Sequence, residues 1–505
     1  MSTTEAGLAQ DRAVPPGGGP TSGVNVIGFF RAEFGHGEAG RRILAGIERA
    51  GIPHATIAVK TPHHREKHSF TARGDRPIYP TNIVCLNPEH MLEFAQLGGG
   101  DLFLDRYTIA VWCWEASRFP DSFFPAFDLV DEIWVASDYV AEIVADATDK
   151  PVHVFPMPVE VGPPPELTRA AVGLPEDRFI FLFAFDFFST LERKNPFGLI
   201  EAFTRAFAPG EGPVLVIKTI NGSKQPGELR RLRRAAADHP GIRIVEEYVT
   251  AEHMRGLVAN CDCFVSLHRS EGFGFSLAEA LAYEKPVIAT RYSGNLTFMN
   301  DADSYLVGFG LTPVPPGSAN YPAGALWADP DLDDAAAAMR RVVEHPDEAR
   351  ERGRRGRETI LDRHSLDRTA AFVSERLADI KRRPPKERSE RSTVERAARF
   401  LAIGPSLSWT APSGRFGRFG VLARRVLLRV LRPFLVRQRE WESLVVDALR
   451  QGQDLALEQR KQIERLDALA GGLQQSLDRI DARLDRLDEE LDILAPPVRE
   501  PTKRD

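Results

Sequence analysis

The segment Ser270-Glu271-Gly272-Phe273-Gly274-Phe275-Ser276-Leu277-Ala278-Glu279-Ala280 carries the residue types best suited to chemistry. It follows an apolar run expected to be a strand and opens a run expected to be a helix. Gly272 and Gly274 let a backbone approach a ligand closely. The unpaired amides at a helix start then face an anion. Glu271 falls in the loop before the helix and Glu279 just over one turn inside it. Two carboxylates so placed can bond different hydroxyls of one extended polyol. The same spacing also reads as a capped helix, with Ser276 as N-cap and Glu279 as its partner in an S-x-x-E capping box.

Such a loop needs a parallel sheet behind it, and the surrounding sequence supplies two. From residue 23 to 161, apolar runs alternate with amphipathic stretches. Strands are expected at Asn25–Phe30, Thr108–Trp112, Glu132–Ser137 and Val152–Met157. A helix is expected at Glu38–Ala50, with Ile43, Leu44 and Ile47 on one face and Gly51 ending it. The Pro-rich stretch Val159–Glu166 marks a boundary. A second unit, 167–380, repeats the alternation. Its strands are expected at Phe179–Phe185, Val214–Lys218, Ile242–Glu246, Cys263–Leu267 and Pro286–Thr290, and its helices at Pro196–Phe207, Ala251–Ala259, Ser276–Tyr283 and Leu332–Glu344. The fold class is therefore α/β: two Rossmann-like domains facing a cleft, with ligands outside the carboxyl ends of the strands.

With these elements in place, the Glu-x7-Glu pair in its Glu-Gly-Phe-Gly context resembles the signature of glycosyltransferase family four, the retaining group 1 transferases of GT-B fold. Lys285-Pro286-Val287-Ile288-Ala289-Thr290 and Ser293-Gly294-Asn295 continue the likeness, which spans roughly Asn25 to Leu377. The resemblance implies a nucleotide-sugar donor and no metal or other cofactor. It implies that Glu271 contacts the donor sugar, that Glu279 holds the ribose, and that the amides of Gly272, Phe273, Gly274, Phe275 and Ser276 line the sugar and diphosphate. Lys194 matches the family's diphosphate lysine, so Glu271 and Lys194 are the catalytic candidates. The family's upstream arginine is replaced by Phe188, leaving Arg193 or Lys218 to supply the second positive charge. Arg193 reads equally as a solvated helix-start residue. His268 and Asn295 are further donor-side candidates, and His268 reads also as a structural histidine.

In the first unit, Gly35-His36-Gly37-Glu38 resembles the family's glycine-rich loop facing the donor, with Gly37 on the donor and His36 and Glu38 on the acceptor side. Trp114 and Glu115 end a strand and suit a sugar face and its hydroxyls. The alternative is a core tryptophan beside a solvated glutamate. D-x-D matches occur at Asp301/Asp303 and across Asp329, Asp331 and Asp333. Asp331 and Asp333 precede an Ala-rich helix and read as caps. The aspartates are taken as structural, and no metal ligands are assigned.

The remainder of the chain changes character. Residues 1–22 read as a flexible tail without the basic and apolar stretches of a secretory signal. A linker is expected at 381–412. Within 413–440, Arg415–Arg439 holds eight arginines and no acid, interleaved with apolar residues. It reads as a basic amphipathic helix lying on an anionic membrane surface. Over 441–495, Ile463, Ala470, Leu477, Leu484 and Leu491 alternate with Leu466, Leu473, Ile480, Leu487 and Leu494 in the 3-4 spacing of a coiled coil. It implies a homo-oligomer or a helical partner. Residues 496–505 form a last tail. The 505-residue chain carries a net charge of −6, which does not suggest a nucleic-acid partner. Its hydrophobic (43%) and charged (27%) fractions exclude a largely disordered or collagen-like chain. Cys85, Cys113, Cys261 and Cys263 form no C-x-x-C pair and read as reduced core residues of a cytoplasmic protein. The expectation is a hexosyltransferase acting on a surface-polysaccharide or lipid-linked glycan acceptor, cytoplasmic and peripheral on the inner face of the membrane. The alternatives are a non-catalytic scaffold with a degenerate transferase body, or a nucleotide-sugar epimerase.

Overall fold

A computed structural model describes residues 22–382, apart from 62–63, 75, 96–101, 104–105 and 319. The expected N-terminal tail, save Ser22, lies outside the described residues. So do the linker past Arg382, the basic segment, the coiled coil and the last tail.

The first half is a six-stranded sheet of β1 (Val24–Gly28), β2 (His54–Ala58), β3 (Thr81–Cys85), β4 (Tyr107–Trp112), β5 (Glu132–Val135) and β6 (Val152–Val154). Its order is β2-β1-β3-β4-β5-β6, and every pairing is parallel. The strands read as apolar runs because helices cover both faces. Those named here are α1 (Gly35–Arg49), α2 (Pro88–Phe94) and α3 (Asp138–Ala145). The order reverses between β1 and β3, so the residues after these two strands open into one crevice.

The second half runs β7 (Ile180–Asp186), α4 (Leu191–Lys194), α5 (Pro196–Ala206), β8 (Val214–Ile220), α6 (Pro226–Ala236), β9 (Ile242–Glu246), α7 (Ala251–Asn260), β10 (Cys263–Ser266), α8 (Phe275–Ala282), β11 (Val287–Thr290) and β12 (Tyr305–Val307). The sheet order is β12-β11-β10-β7-β8-β9, again wholly parallel. This is the doubly wound Rossmann order, with its switch point between β7 and β10. A hairpin of β13 (Phe309–Pro313) and β14 (Leu326–Pro330) precedes the helices α9 (Leu332–Glu344), α10 (Pro346–Arg363) and α11 (Leu366–Arg382).

Residues 366–380 were expected in the second unit, but α11 packs on α1 of the first. Gly46 of α1 makes room for Thr369, whose methyl would lie 2.6 Å from an added Cβ. Arg376 grips the fully buried Glu132 at the start of β5 with two bonds, of 3.1 and 2.7 Å. The outward and return crossings between the halves are tied together. Val159 N donates to the carbonyl of His364 (2.8 Å), and the His364 ring bonds the Met157 carbonyl (3.0 Å).

Candidate active site

Both switch points open on one cavity of about 500 Å³. The second half supplies its basic wall. After β7 the chain turns through α4, flanked by Thr190 (φ 57°) and Asn195 (φ 52°) in the left-handed region. Asn195 caps α5 by accepting from Gly198 N (3.2 Å). Its amide also donates to the Leu267 carbonyl (2.9 Å), tying the α4 turn to the end of β10. This places Lys194 and Arg193 against Glu271. Lys194 Nζ lies 2.5 Å from Glu271 Oε1, and Arg193 Nη1 lies 3.2 Å from Oε2 and 2.9 Å from the Ser270 carbonyl. Burial alone would raise the Glu271 carboxyl, but Lys194 and Arg193 hold it at about 2. Burial pushes the Lys194 ammonium down from its ordinary value, against the pull of Glu271. Arg193 is buried, not solvated, and its Nε has no hydrogen-bond partner among the described residues.

The Glu271 loop is held from behind. Glu271 N donates to Ser293 Oγ (2.8 Å) and Gly294 N to the Glu271 carbonyl (2.9 Å). A Cβ on Gly294 would stand 2.2 Å from the Gly272 carbonyl oxygen, so only glycine fits. Gly274 (φ 98°) is the N-cap of α8. Ser276 is therefore two residues past the N-cap, and the alternative capping box does not form. Gly272, Phe273, Gly274, Phe275 and Ser276 line the cavity together with Lys218. The Lys218 ammonium points at backbone carbonyls, Thr219 O at 3.2 Å and Glu247 O.

Other expected site residues stand elsewhere. His268 is fully buried, its ring 3.2 Å from Ser266 Oγ and 3.1 Å from Asn295 Oδ1. Asn295 in turn donates to the Thr290 carbonyl (3.0 Å). The two form a layer behind the Glu271 loop and are not among the cavity-lining residues. Glu279 also lies outside that lining and pairs with Arg42 of α1, which also bonds Glu38 at 2.7 Å. Burial raises the Glu279 carboxyl, with Arg42 opposing. Gly37 faces backbone, since a Cβ there would lie 2.4 Å from the Ala32 carbonyl oxygen. Glu38 is occupied by Arg41 and Arg42. Trp114 lines the cavity from a packed position, its indole donating to the Arg118 carbonyl (2.8 Å) and its ring against Phe123 and Tyr321. Glu115 accepts from Tyr321 OH (3.4 Å) and lies 4.0 Å from Arg193.

The D-x-D aspartates are each engaged structurally. Asp331 caps α9 through the amides of Asp333 and Asp334, Asp333 pairs with Arg205, Asp329 with Arg269 and Asp301 with Arg291, while Asp303 bonds Asn300 and Ser304. All four cysteines are free thiols, and three are buried.

Beside the expected His36, the first half adds Glu89 and His90, which the sequence reading passed over. His36 follows β1; Glu89 and His90 follow β3, and all three line the cavity. Glu89 Oε1 stands 3.7 Å from the His90 ring, and the His36 and His90 ring centroids are 6.1 Å apart. Burial, and the nearby Glu115 charge, lift the Glu89 carboxyl to about 7. Burial, His90, His64 and Arg193 drop His36 to about 3, so its ring is neutral. At the rim Phe34 stacks on His64 (4.0 Å, 6°), and the exposed Phe188 meets His64 edge-on (5.6 Å). The signal for Glu89 is Asn87-Pro88, a helix opening directly after an apolar strand.

The family described as "Glycosyl transferases group 1" matches residues 166–359. No curated protein matches the sequence. Among solved structures, sucrose-phosphate synthase from Thermosynechococcus elongatus is similar at 15% identity over 71% of this chain and 99% of that one, with a TM-score of 0.53. Alr3699/HepE from Anabaena, solved in complex with UDP and glucose, is similar at 13% identity over 71% of this chain and 100% of its own, with a TM-score of 0.51. The chain thus has the GT-B fold, and its residues 166–359 match the group 1 glycosyl transferases.

Proposed function

We propose that the chain is a retaining, metal-independent hexosyltransferase, moving a hexose from a nucleotide-sugar donor to a hydroxyl of a surface-polysaccharide or lipid-linked glycan. The observation that carries this reading is the meeting of Lys194, Arg193 and Glu271 with the opening of α8 at the β7/β10 switch point. When the bond from the anomeric carbon to the diphosphate breaks, charge grows on the leaving oxygen. Lys194, Arg193 and the α8 amides are the preorganised groups that stabilise it. They stand where a metal ion stands in other designs. Glu271, kept ionised by its two cations, accepts from sugar hydroxyls. The acceptor oxygen bonds the anomeric carbon on the face the diphosphate leaves. Its proton passes to the departing phosphate oxygen. Glu279 accepts from the ribose.

A thermal-shift panel on the full chain with UDP, GDP, ADP, dTDP and their sugar conjugates tests this. A ligand at a hundred times its dissociation constant adds about 2.7 kcal/mol. We expect one nucleotide to raise the midpoint by a few degrees, with the shift lost in Glu279→Ala. No shift with any nucleotide, in a folded sample, would sink the reading and leave a non-catalytic scaffold. We assign Arg415–Arg439 to an anionic membrane surface on the cytoplasmic side, and the heptads to self-association or a helical partner. Deleting 415–439 should release the protein from sedimenting membranes. Unchanged sedimentation overturns the membrane assignment.

A further inference from the structure

The first sheet has a switch point of its own, between β1 and β3, and the donor reading leaves it unused. The loop after β1 brings His36 to it and the turn after β3 brings Glu89. Each presents a polar atom that is closed to solvent and has no hydrogen-bond partner among the described residues: Glu89 Oε2 and His36 Nδ1. Buried polar atoms are as a rule satisfied, so two such atoms on residues that line one cavity point to a ligand group that bonds them when those side chains turn to it. A hydroxyl suits both, donating to the carboxylate oxygen and accepting from a ring N–H.

Charge selects further. The cavity's first-half wall carries Glu33, Glu89 and Glu115. Arg65 pairs with Glu33 (3.0 Å), and the neutral His36 adds no positive charge. Across the cavity Lys194 and Arg193 are engaged by Glu271, and Lys218 by carbonyls. Arg65 offsets Glu33 and Arg193 stands 4.0 Å from Glu115, but Glu89 is paired with no lysine or arginine among the described residues, only with the His90 ring. A phosphorylated group beside it would meet a carboxylate not offset by a permanent cation. A neutral sugar meets hydrogen-bonding partners, with the Phe34, His64 and Phe188 rim for its apolar face. Phe188 thereby gives the rim an aromatic ring at the position where a donor-side arginine was expected.

We propose that Glu89, with His36, binds the accepting hydroxyl, and that the acceptor unit in this subsite is a neutral sugar, not a phosphorylated group. This rests on the transferase reading above. Glu89 orients the hydroxyl as a hydrogen-bond acceptor; the proton still leaves to the departing phosphate. The titratable groups around Glu89 are His90 on its own helix, His36 and His64 on the β1 side, and Cys113 and Glu115 after β4. Only the ionised carboxylate serves in this role. With Glu89 near 7, acceptor kcat/KM should rise as pH rises through 7.

The experiment uses the full chain with the nucleotide sugar found by thermal shift. Methyl hexosides are compared as acceptors with the same hexosides bearing a 6-phosphate and with a polyprenyl phosphate. We expect transfer to a methyl hexoside, at least about tenfold better than to any phosphorylated acceptor. Glu89→Gln should raise the acceptor KM about tenfold, the value of a buried hydrogen bond to a charged group, and flatten the rise through pH 7. His36→Phe should raise the acceptor KM without flattening the profile. The nucleoside diphosphate shift, retained in both variants, reports folding and donor binding. Equal or better use of the phosphorylated acceptors, an unaltered pH profile in Glu89→Gln, or donor binding without transfer to any methyl hexoside each overturns the proposal. Absence of any nucleotide shift in the wild type sinks the transferase reading instead.

Discussion

The two walls of the cleft carry carboxylates in opposite electrostatic states. Glu271 on the second-half wall is clamped by Lys194 and Arg193 and held at about 2. Glu89 on the first-half wall has the His90 ring 3.7 Å from one oxygen, is paired with no lysine or arginine among the described residues, has no partner there for its other oxygen, and is lifted to about 7. Both sit at the carboxyl end of a parallel sheet, at a reversal of strand order. What separates them is the chain that follows the neighbouring strand. After β7 comes Arg193-Lys194; after β1 comes Phe34-Gly35-His36. The same architecture thus surrounds one carboxylate with a lysine and an arginine and sets the other among histidines.

The largest expected effect comes from unbalancing the charged wall. Lys194→Met removes the ammonium bonded to Glu271. It should lower kcat about 10²- to 10³-fold, the usual loss for one transition-state donor. Lys194→Arg keeps the charge and should recover part of it. The control for folding is the melting midpoint without ligand; the nucleoside diphosphate shift should itself shrink, because Lys194 meets the diphosphate in this reading. A Lys194→Met enzyme with wild-type kcat would show that the leaving charge is met elsewhere, and the contrast between the walls would lose its catalytic meaning.

The same contrast explains what could be read from the sequence. The second sheet alternates long apolar strands with amphipathic helices, and five of its six strands and the Glu271 loop were legible, while the three-residue β12 was too short to read. β3, Thr81–Cys85, was not, because Asn82 interrupts a five-residue run. Asn82 is fully buried, and Asn25 donates to it across the sheet at 2.9 Å, which no periodicity reveals. Missing β3 meant missing its end, and so Glu89. His268 and Asn295 were drawn into the site by nearness in sequence to Glu271 and to the Ser-Gly turn. Their side chains turn instead to each other, 3.1 Å apart, behind the loop. The amphipathic pattern of α11 shows an apolar face without saying which sheet it covers. Its return to α1 depends on the small Gly46 and on Glu132, far apart in sequence.

Arg42 gives the smallest effect, and it crosses the cleft. It is the first half's charged contact to Glu279, stacked over Phe275 at 4.7 Å and anchored by the Pro158 carbonyl at 3.1 Å. Burial raises the Glu279 carboxyl above its ordinary value, and Arg42 is the first opposing influence. Removing that charge in Arg42→Met lets the carboxyl rise further. A larger fraction is then protonated as pH falls, and a protonated acid accepts more weakly from ribose hydroxyls. Nucleoside diphosphate affinity should therefore drop about three- to tenfold in Arg42→Met, an effect of about 1 kcal/mol. The drop should be larger at pH 6 than at pH 8, measured by calorimetric titration. If the loss were the same at both pH values, Arg42 would act by holding the two halves together and not by keeping Glu279 ionised. A gain in affinity would mean that Arg42 competes with the ribose for the carboxylate, reversing the sign of its role.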